Sequence, residues 1–224
     1  MKKSLLVFLL ISSSLACGQV SYSELKTRAA LKRDDFRREY VKHKDIGDTI
    51  AQNQVIKEAR EFLLKETGVF FKAWYGTQWS FHEHTQTPKK GKIACGYFVT
   101  TVLKDMGFNI PRIRWAQLAS EEMIGKMTSK LYRFRNKPVS DIEKHIRAEG
   151  EGLFVVGLDR HVGFIYYREG KISFVHSNYY QPAKGVMSES LSGKNPLNDS
   201  HYRVVGKLFD KEMIENWIFD YAYQ

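Results

Sequence analysis

The sequence predicts an α+β domain in which helices come first and an antiparallel sheet follows. Apolar residues recur at helical spacing up to about residue 148, whereas short apolar runs separated by turn residues fill 153–178. Runs of helices followed by neighbouring strands are typical of the α+β class. The 224 residues allow one domain with extensions, or two small domains.

Composition excludes several classes of protein. The 14 Phe, 12 Tyr and 4 Trp are too many aromatic residues for a disordered chain. Two Cys cannot form a disulfide-dense scaffold or a four-cysteine zinc site. The formal net charge of +10 suits an anionic surface such as a cell-wall polymer, or serves solubility alone. Nucleic acid is not an expected partner, because no basic run interleaves with aromatic residues as in a known binding module.

Residues 1–18 have the pattern of a secretory signal peptide. Two lysines precede an apolar run at 5–11, and small residues follow it. The run is too short to cross a hydrocarbon core of about 30 Å as a helix. Leu-Ala-Cys ending at Cys17 is similar to a lipoprotein signal, in which Cys17 carries a lipid anchor, although Ser14 stands where such signals usually have Leu. Ordinary signal cleavage is the alternative, and either route predicts an exported protein of the periplasm or cell envelope.

Five helices are predicted ahead of the strands. The first belongs to a helical N-terminal extension over 19–50, and its dense charges are expected to form a solvated face. Contact with an anionic wall and closure over an active site are the alternatives for this extension. The main domain is expected over 51–224. Within it, the second helix is expected to end at Gly68, and the aromatic segment 69–93 is expected to be irregular. The predicted helices lie at about 21–45, 53–66, 95–106, 118–126 and 139–148.

Strands and one terminal helix are predicted for the end of the chain. Turn residues at 159–160 and 168–170 separate three apolar runs that are close in sequence, which favours an antiparallel meander. The predicted strands are 153–158, 161–167, 171–178 and 202–209, and the terminal helix runs from about 211 to 223.

Cys95 is the first candidate for chemistry. If Cys17 is removed with the signal or capped by lipid, Cys95 is a single thiol in an oxidising compartment. It stands in the first turn of its predicted helix, where partial positive charge and free N–H groups favour a thiolate and can hold an oxyanion. A buried, inert Cys is the alternative, because Cys95 also lies on the apolar stripe of that helix.

Two histidines strengthen the catalytic interpretation. His161 begins one predicted strand and His176 nears the end of the next, so the turn between them makes the two residues cross-strand neighbours. One imidazole would take the thiol proton while the second holds the first in the right tautomer. Asn178 faces the same side as His176 and is the alternative orienting residue. Either His alone would more often be structural, but Cys, His and His in this order indicate a thiol hydrolase.

Several segments resemble the NlpC-type papain-like peptidases of the cell wall. Cys-Gly-Tyr-Phe-Val at 95–99 is similar to the Asp-Cys-Ser-Gly-Phe-Val start of their nucleophile helix, and His-Val-Gly-Phe at 161–164 to the strand of their catalytic His. Phe-Val-His-Ser at 174–177 is similar to the next strand, which carries their third polar residue. Gly-Thr-Gln-Trp at 76–79 resembles their Gly-Thr-Pro-Tyr segment, which lines the active site. The resemblance covers about 54–180.

The sequence departs from the family pattern at several positions. Ala94 replaces the Asp before the nucleophile, and Gly96 and Tyr97 replace Ser-Gly. Trp79 replaces a Tyr, and His82 stands where a Gly is usual. These departures bear on the substrate more than on the triad, and they indicate a divergent branch or a related amidase such as the CHAP group.

The resemblance implies a papain-like fold with the nucleophile helix packed on the antiparallel sheet. It also implies an exported cysteine peptidase or amidase that cuts amide bonds in peptidoglycan stem peptides. Cys95 would be the nucleophile, His161 the base and His176 the orienting group, with Trp79 lining the substrate cleft and with no cofactor. Two alternatives stay open: a papain-like hydrolase or transferase acting on a protein or lipid, and a non-catalytic wall-binding module on the same fold.

A metal site is not expected from the sequence. His82 and His84 could form a metal-binding pair with Glu83 nearby, but no third or fourth ligand of the usual spacing follows. The oligomeric state has no signal in the sequence.

Overall fold

The structure is a computed structural model that describes residues 20–224. The predicted signal peptide at 1–18 and the predicted lipid anchor at Cys17 lie outside the described residues. None of the described helices combines the length and the apolar character that a membrane span requires.

Two long helices open the described chain, and they pack side by side in antiparallel directions. Helix α1 (Tyr22–Asp45) begins at Ser21, whose side chain forms a capping box with Glu24. Helix α2 (Thr49–Trp74) begins at Asp48, whose carboxylate accepts a backbone N–H of the first turn. The first helix therefore lies where the sequence predicts it.

The charges of α1 do not form a purely solvated face, so that expectation is wrong for several residues. Arg28 pairs with Glu66 of α2, which is only 5% exposed. Arg33 donates to the carbonyl oxygen of Gly107 at 2.9 Å, and Arg37 reaches a carbonyl near the end of the chain. These guanidinium groups satisfy buried or terminal acceptors of the elements against which α1 packs.

Helix α2 runs on to Trp74, so the expected break at Gly68 and the irregular start of 69–93 are wrong. The hydroxyl of Tyr166 lies 3.2 Å from where a Cβ of Gly68 would be, and it donates to the carbonyl of Leu64 at 2.9 Å. Phe71 and Trp74 are fully buried. Burial of these large side chains outweighs the cost of about 1 kcal/mol that a glycine adds inside a helix.

Six shorter helices complete the described part. They are α3 Cys95–Asp105, α4 Arg112–Ala116, α5 Ser120–Gly125, α6 Val139–Glu149, α7 Pro196–Asp199 and α8 Lys211–Phe219. The helices predicted near 95, 118, 139 and 211 are confirmed to within a few residues at each end, whereas α4 and α7 were not predicted.

Six strands form one sheet in which every pairing is antiparallel. The strands are β1 Leu131–Arg135, β2 Gly152–Leu158, β3 Val162–Arg168, β4 Lys171–Asn178, β5 Gly185–Glu189 and β6 Tyr202–Lys207. Their order in the sheet is β1-β6-β2-β3-β4-β5, so β2 to β4 form the predicted meander, β5 extends it, and β6 returns to pair with the free edge of β2. The short strands β1 and β5 were not predicted.

Helices cover both faces of the sheet. On one face, Val155, Phe164 and Val175 pack in the cluster that includes the apolar side chains of α3. On the other face, a second cluster joins Phe154 and Phe174 to the apolar stripe of α6. The predicted α+β class, with the helix of Cys95 packed on an antiparallel sheet, is therefore confirmed.

Candidate active site

Cys95 is the first residue of α3, and its half-buried thiol lines a cleft. The first backbone hydrogen bond of α3 runs from Phe98 N–H to Ala94 O at 2.9 Å, so the preceding N–H groups point beyond the helix end. Burial raises the pKa of the Cys95 thiol, and the backbone N–H groups of Val162 and Gly96 oppose that rise. The resting thiol is therefore protonated at neutral pH and would need a base to act as a nucleophile.

His161 and His176 meet side chain to side chain, as the sequence predicts. His161 follows the turn after β2 and is 4% exposed, and His176 on β4 is fully buried. Nε2 of His161 lies 2.8 Å from Nδ1 of His176. Burial holds the pKa of His161 well below its usual range, with the neighbouring His176 adding to the effect, and burial also lowers the pKa of His176. Both rings are therefore neutral in the resting protein.

Gly163 makes room for this pair of rings. A Cβ at Gly163 would lie 2.7 Å from the ring of Phe174 and 2.8 Å from Cβ of His176. Phe174 and His176 share one face of β4, and their rings stack with centroids 4.0 Å apart. The Gly of the His-Val-Gly segment is thus required by the cross-strand neighbour that contacts His161.

Glu189 on β5 extends the row of polar side chains, and sequence reasoning missed it. Its Oε1 lies 2.7 Å from Nε2 of His176. The register pairs His176 with Met187, so Glu189 stands two residues further along the same face. β5 has only 5 residues, and its sole signal in the sequence is a weak alternation after Gly185.

Asn178, the alternative orienting residue, is engaged elsewhere. Its Oδ1 accepts the backbone N–H of Tyr180 at 2.7 Å and that of Gln181 at 3.3 Å. Its Nδ2 lies 3.2 Å from the sulfur of Met187. These contacts make Asn178 the first residue of a turn after β4, while His176 is the residue in contact with His161.

The thiol and His161 lie where two cavities meet. The cavities share five residues, Cys95, Gly96, Ala116, Arg160 and His161, so they form one continuous cleft. The aromatic arm, about 790 Å³, is lined by Trp79, Phe81, His82, His84, Tyr97 and Tyr179. The polar arm, about 590 Å³, is lined by Ser120, Glu121, Arg135, Asp159 and Tyr202.

Trp79 reaches the aromatic arm because the segment before it is tied to β5. Gly76 N–H donates to Val186 O and Val186 N–H donates to Thr77 O, both at 2.8 Å. Gly185 has φ +60°, and any Cβ there would overlap the carbonyl of Thr77, so this close approach requires glycine. The ring of Trp79 then lies 6.0 Å from that of Tyr179.

Arg160 supplies the formal charge of the aromatic arm. Arg160 is exposed, and among the residues described it is the only Lys, Arg, Asp or Glu that lines this arm. His82 and His84 line the arm too, and within 20–224 no group of three His, Cys, Asp or Glu has the geometry to hold a metal ion. The arm therefore offers aromatic surface and one guanidinium close to the thiol.

Comparison with known proteins gives little similarity. Scanning against protein-family models gives no match, and comparison with curated proteins gives no significant match. Among solved structures, an N-acetylmuramoyl-L-alanine amidase from Bacteroides uniformis is similar at 11% identity and a TM-score of 0.34, over 65% of this chain and 99% of that chain. These similarities assign neither a family nor a function to this chain.

Proposed function

We propose that this protein is a cysteine hydrolase that cuts amide bonds, with Cys95 as nucleophile, His161 as base and His176 as orienting residue. One observation carries the proposal: His161, which lines the same cleft as the thiol, has its Nε2 2.8 Å from Nδ1 of the buried His176. Nδ1 of His161 is buried and has no hydrogen-bond partner among the described residues. That nitrogen is free to accept the thiol proton.

The reaction proceeds by acyl transfer. The thiol proton of Cys95 passes to Nδ1 of His161 as Sγ attacks the carbonyl carbon of the amide, and the oxyanion accepts hydrogen bonds from N–H groups at the start of α3. His161 then returns the proton to the leaving amine as the C–N bond breaks. A water molecule, deprotonated by the same nitrogen, attacks the thioester and releases the acid and the thiol.

The pKa directions favour proton transfer during attack over a resting ion pair. Burial raises the pKa of Cys95 and lowers that of His161, so both groups are neutral before substrate binds. The thiolate then forms only when substrate is in place to use it.

Peptidoglycan stem peptides are the proposed substrate. The aromatic arm supplies surface for an acyl chain or sugar, and Arg160 supplies a charge that a substrate carboxylate would neutralise. We also propose that the chain is exported and acts in the cell envelope, on the signal pattern of 1–18, with a lipid anchor at Cys17 as part of that proposal. The boundaries 19–50 for the extension and 51–224 for the hydrolase domain are proposed as well.

The test is cleavage of purified peptidoglycan, followed by mass spectrometry of the fragments. We expect wild-type protein to release cut stem peptides, and Cys95→Ala and His161→Gln to release them roughly 100-fold more slowly or not at all. His201→Gln, which removes an exposed imidazole, is the matched control and should leave the rate unchanged.

The same samples separate the alternatives. Cleavage that persists in Cys95→Ala would contradict the proposed nucleophile. If peptidoglycan stays intact while protein or lipid amides are cut in a Cys95-dependent way, the mechanism stands and the substrate is wrong. A thiol that resists alkylation across the pH range, with no substrate cut, would indicate the non-catalytic wall-binding module.

A further inference from the structure

Three side chains from three separate segments form one row that begins at His161, in the cleft that Cys95 also lines. His161 precedes β3, His176 lies on β4 and Glu189 lies at the end of β5. The two contacts in the row measure 2.8 Å, between the rings, and 2.7 Å, from Nε2 of His176 to Oε1 of Glu189. We propose that Glu189 is a positioning residue that fixes the tautomers of both histidines; this inference rests on the proposed function.

The tautomers follow from the donors and acceptors in the row. An ionised carboxylate only accepts hydrogen bonds, so Nε2 of His176 must carry the proton that faces Glu189. A neutral imidazole has one N–H, so Nδ1 of His176 is then an acceptor. Nε2 of His161 must therefore carry its proton and donate it to His176. The lone pair of His161 is left on Nδ1, which has no partner among the described residues.

This arrangement is the one that a base for Cys95 requires. With the opposite tautomers, Nδ1 of His161 would carry a proton and could not accept the one from the thiol. Glu189 thus acts through His176, without touching the reacting atoms.

Burial strengthens the electrostatic interaction between the Glu189 carboxylate and His176. His176 is fully buried, and the side chain of Glu189 is 18% exposed. Within the described part of the chain, Glu189 makes no ion pair with a Lys or Arg, so its charge acts on His176 alone. Once His161 has taken the thiol proton, the negative charge at the far end of the row stabilises the imidazolium.

The test reads the tautomers directly, by NMR of the purified protein with ¹⁵N-labelled histidine. We expect the rings of His161 and His176 both to be protonated at Nε2 in the wild type. In Glu189→Gln the amide either accepts from or donates to His176, so we expect a mixture in which His161 is partly protonated at Nδ1. Glu189→Asp keeps an acceptor-only group and should restore the wild-type tautomers.

Two kinetic readouts accompany the spectra. We expect Glu189→Gln to slow alkylation of Cys95 by iodoacetamide, and to lower kcat for peptidoglycan about tenfold with little change in KM. Glu189→Asp should retain most of the wild-type alkylation rate and most of the wild-type kcat. Glu143→Gln is the matched control, since Glu143 pairs with Arg147 on the exposed surface of α6.

The NMR spectra and the alkylation rate of Cys95 test the proposal whatever the substrate proves to be. If both histidines keep the Nε2 proton in Glu189→Gln, or if the wild type already has His161 protonated at Nδ1, the proposal is overturned. If the tautomers shift but Cys95 reacts at the wild-type rate, Glu189 does not position the base, and the proposal is overturned too. Absence of peptidoglycan cleavage by the wild type would instead count against the proposed function alone.

Discussion

Gly96, next to the candidate nucleophile, lacks a side chain for a steric reason. A Cβ at this position would overlap the carbonyl oxygen of Ala116 and lie 3.2 Å from its carbonyl carbon. Both are backbone atoms at the end of α4, so no side-chain rotation relieves the clash. Helix α4 therefore packs directly on α3, and Ala116 forms part of the cleft wall.

A side chain at position 96 should therefore cost both stability and activity. We expect Gly96→Ala to lower the free energy of unfolding by roughly 1–3 kcal/mol, the usual range for overpacking, and to lower kcat by displacing the wall. Urea unfolding and the peptidoglycan assay measure the two effects. Gly125→Ala is the control, because a Cβ at Gly125 meets nothing within 4 Å, and it should be neutral or slightly stabilising. Equal stability of the two variants would contradict the steric argument.

Between elements, one ion pair links α1 to α2, with its carboxylate buried and its guanidinium partly exposed. Glu66 is 5% exposed and accepts from Nε of Arg28 at 3.1 Å, with a second, shorter contact from the same guanidinium. A buried carboxylate that loses its partner keeps its desolvation cost without compensation. The Arg28–Glu66 pair is therefore expected to contribute more to stability than the exposed ion pairs within α1.

Removal of Arg28 should show this difference. We expect Arg28→Ala to lower the free energy of unfolding by about 1–3 kcal/mol. Lys32→Ala, which breaks an exposed pair with Asp35, should cost less than about 0.5 kcal/mol. Adding Glu66→Gln to Arg28→Ala should recover part of the loss, because it removes the stranded charge. Urea unfolding gives the free energy of unfolding of all three variants. Equal losses in Arg28→Ala and Lys32→Ala would contradict the role given to the buried carboxylate of Glu66.

The elements differ in how well the sequence predicts them. The helix of Cys95 and strands β2 to β4 were predicted because their apolar pattern and turn residues are local signals. The passage of α2 through Gly68 was not, because tertiary burial of Phe71 and Trp74 decides it. Strands β1 and β5 were not predicted either, because each has only 5 residues. β1 depends on pairing with β6, which lies far along the chain, and β5 follows β4 with only a weak alternation as its signal.

At the scale of the whole molecule, the candidate site gathers residues that are far apart in sequence. Cys95 and the two histidines were predicted together because a helix start and a hairpin have known geometry. Glu189 could not be predicted with them, because its position beside His176 depends on the register between β4 and β5. The candidate thiol and base are thus predictable from local patterns, whereas the contact with Glu189 follows from the sheet.

Burial of two neutral histidines also makes the stability of the whole protein depend on pH. Folding lowers the pKa of His161 and His176 below the ordinary value of 6.5, His161 the more strongly, and it lowers that of His145 as well. Below about pH 6.5 the unfolded chain therefore binds protons that the folded protein does not. The free energy of unfolding must fall as the pH decreases, by up to about 1.4 kcal/mol per pH unit for each such group.

The contribution of His161 can be isolated, since Gln has a similar hydrogen-bonding side chain that does not titrate. We expect the free energy of unfolding to depend less steeply on pH in His161→Gln than in the wild type. The variant should lose less of it between about pH 7.5 and about pH 5.5. The exposed His201 serves as the matched control, and His201→Gln should keep the wild-type slope. Urea unfolding at several pH values gives each slope directly. If His161→Gln retained the full wild-type slope, His161 would bind a proton in the folded protein as readily as in the unfolded chain, which its 4% exposure and its contact with His176 argue against.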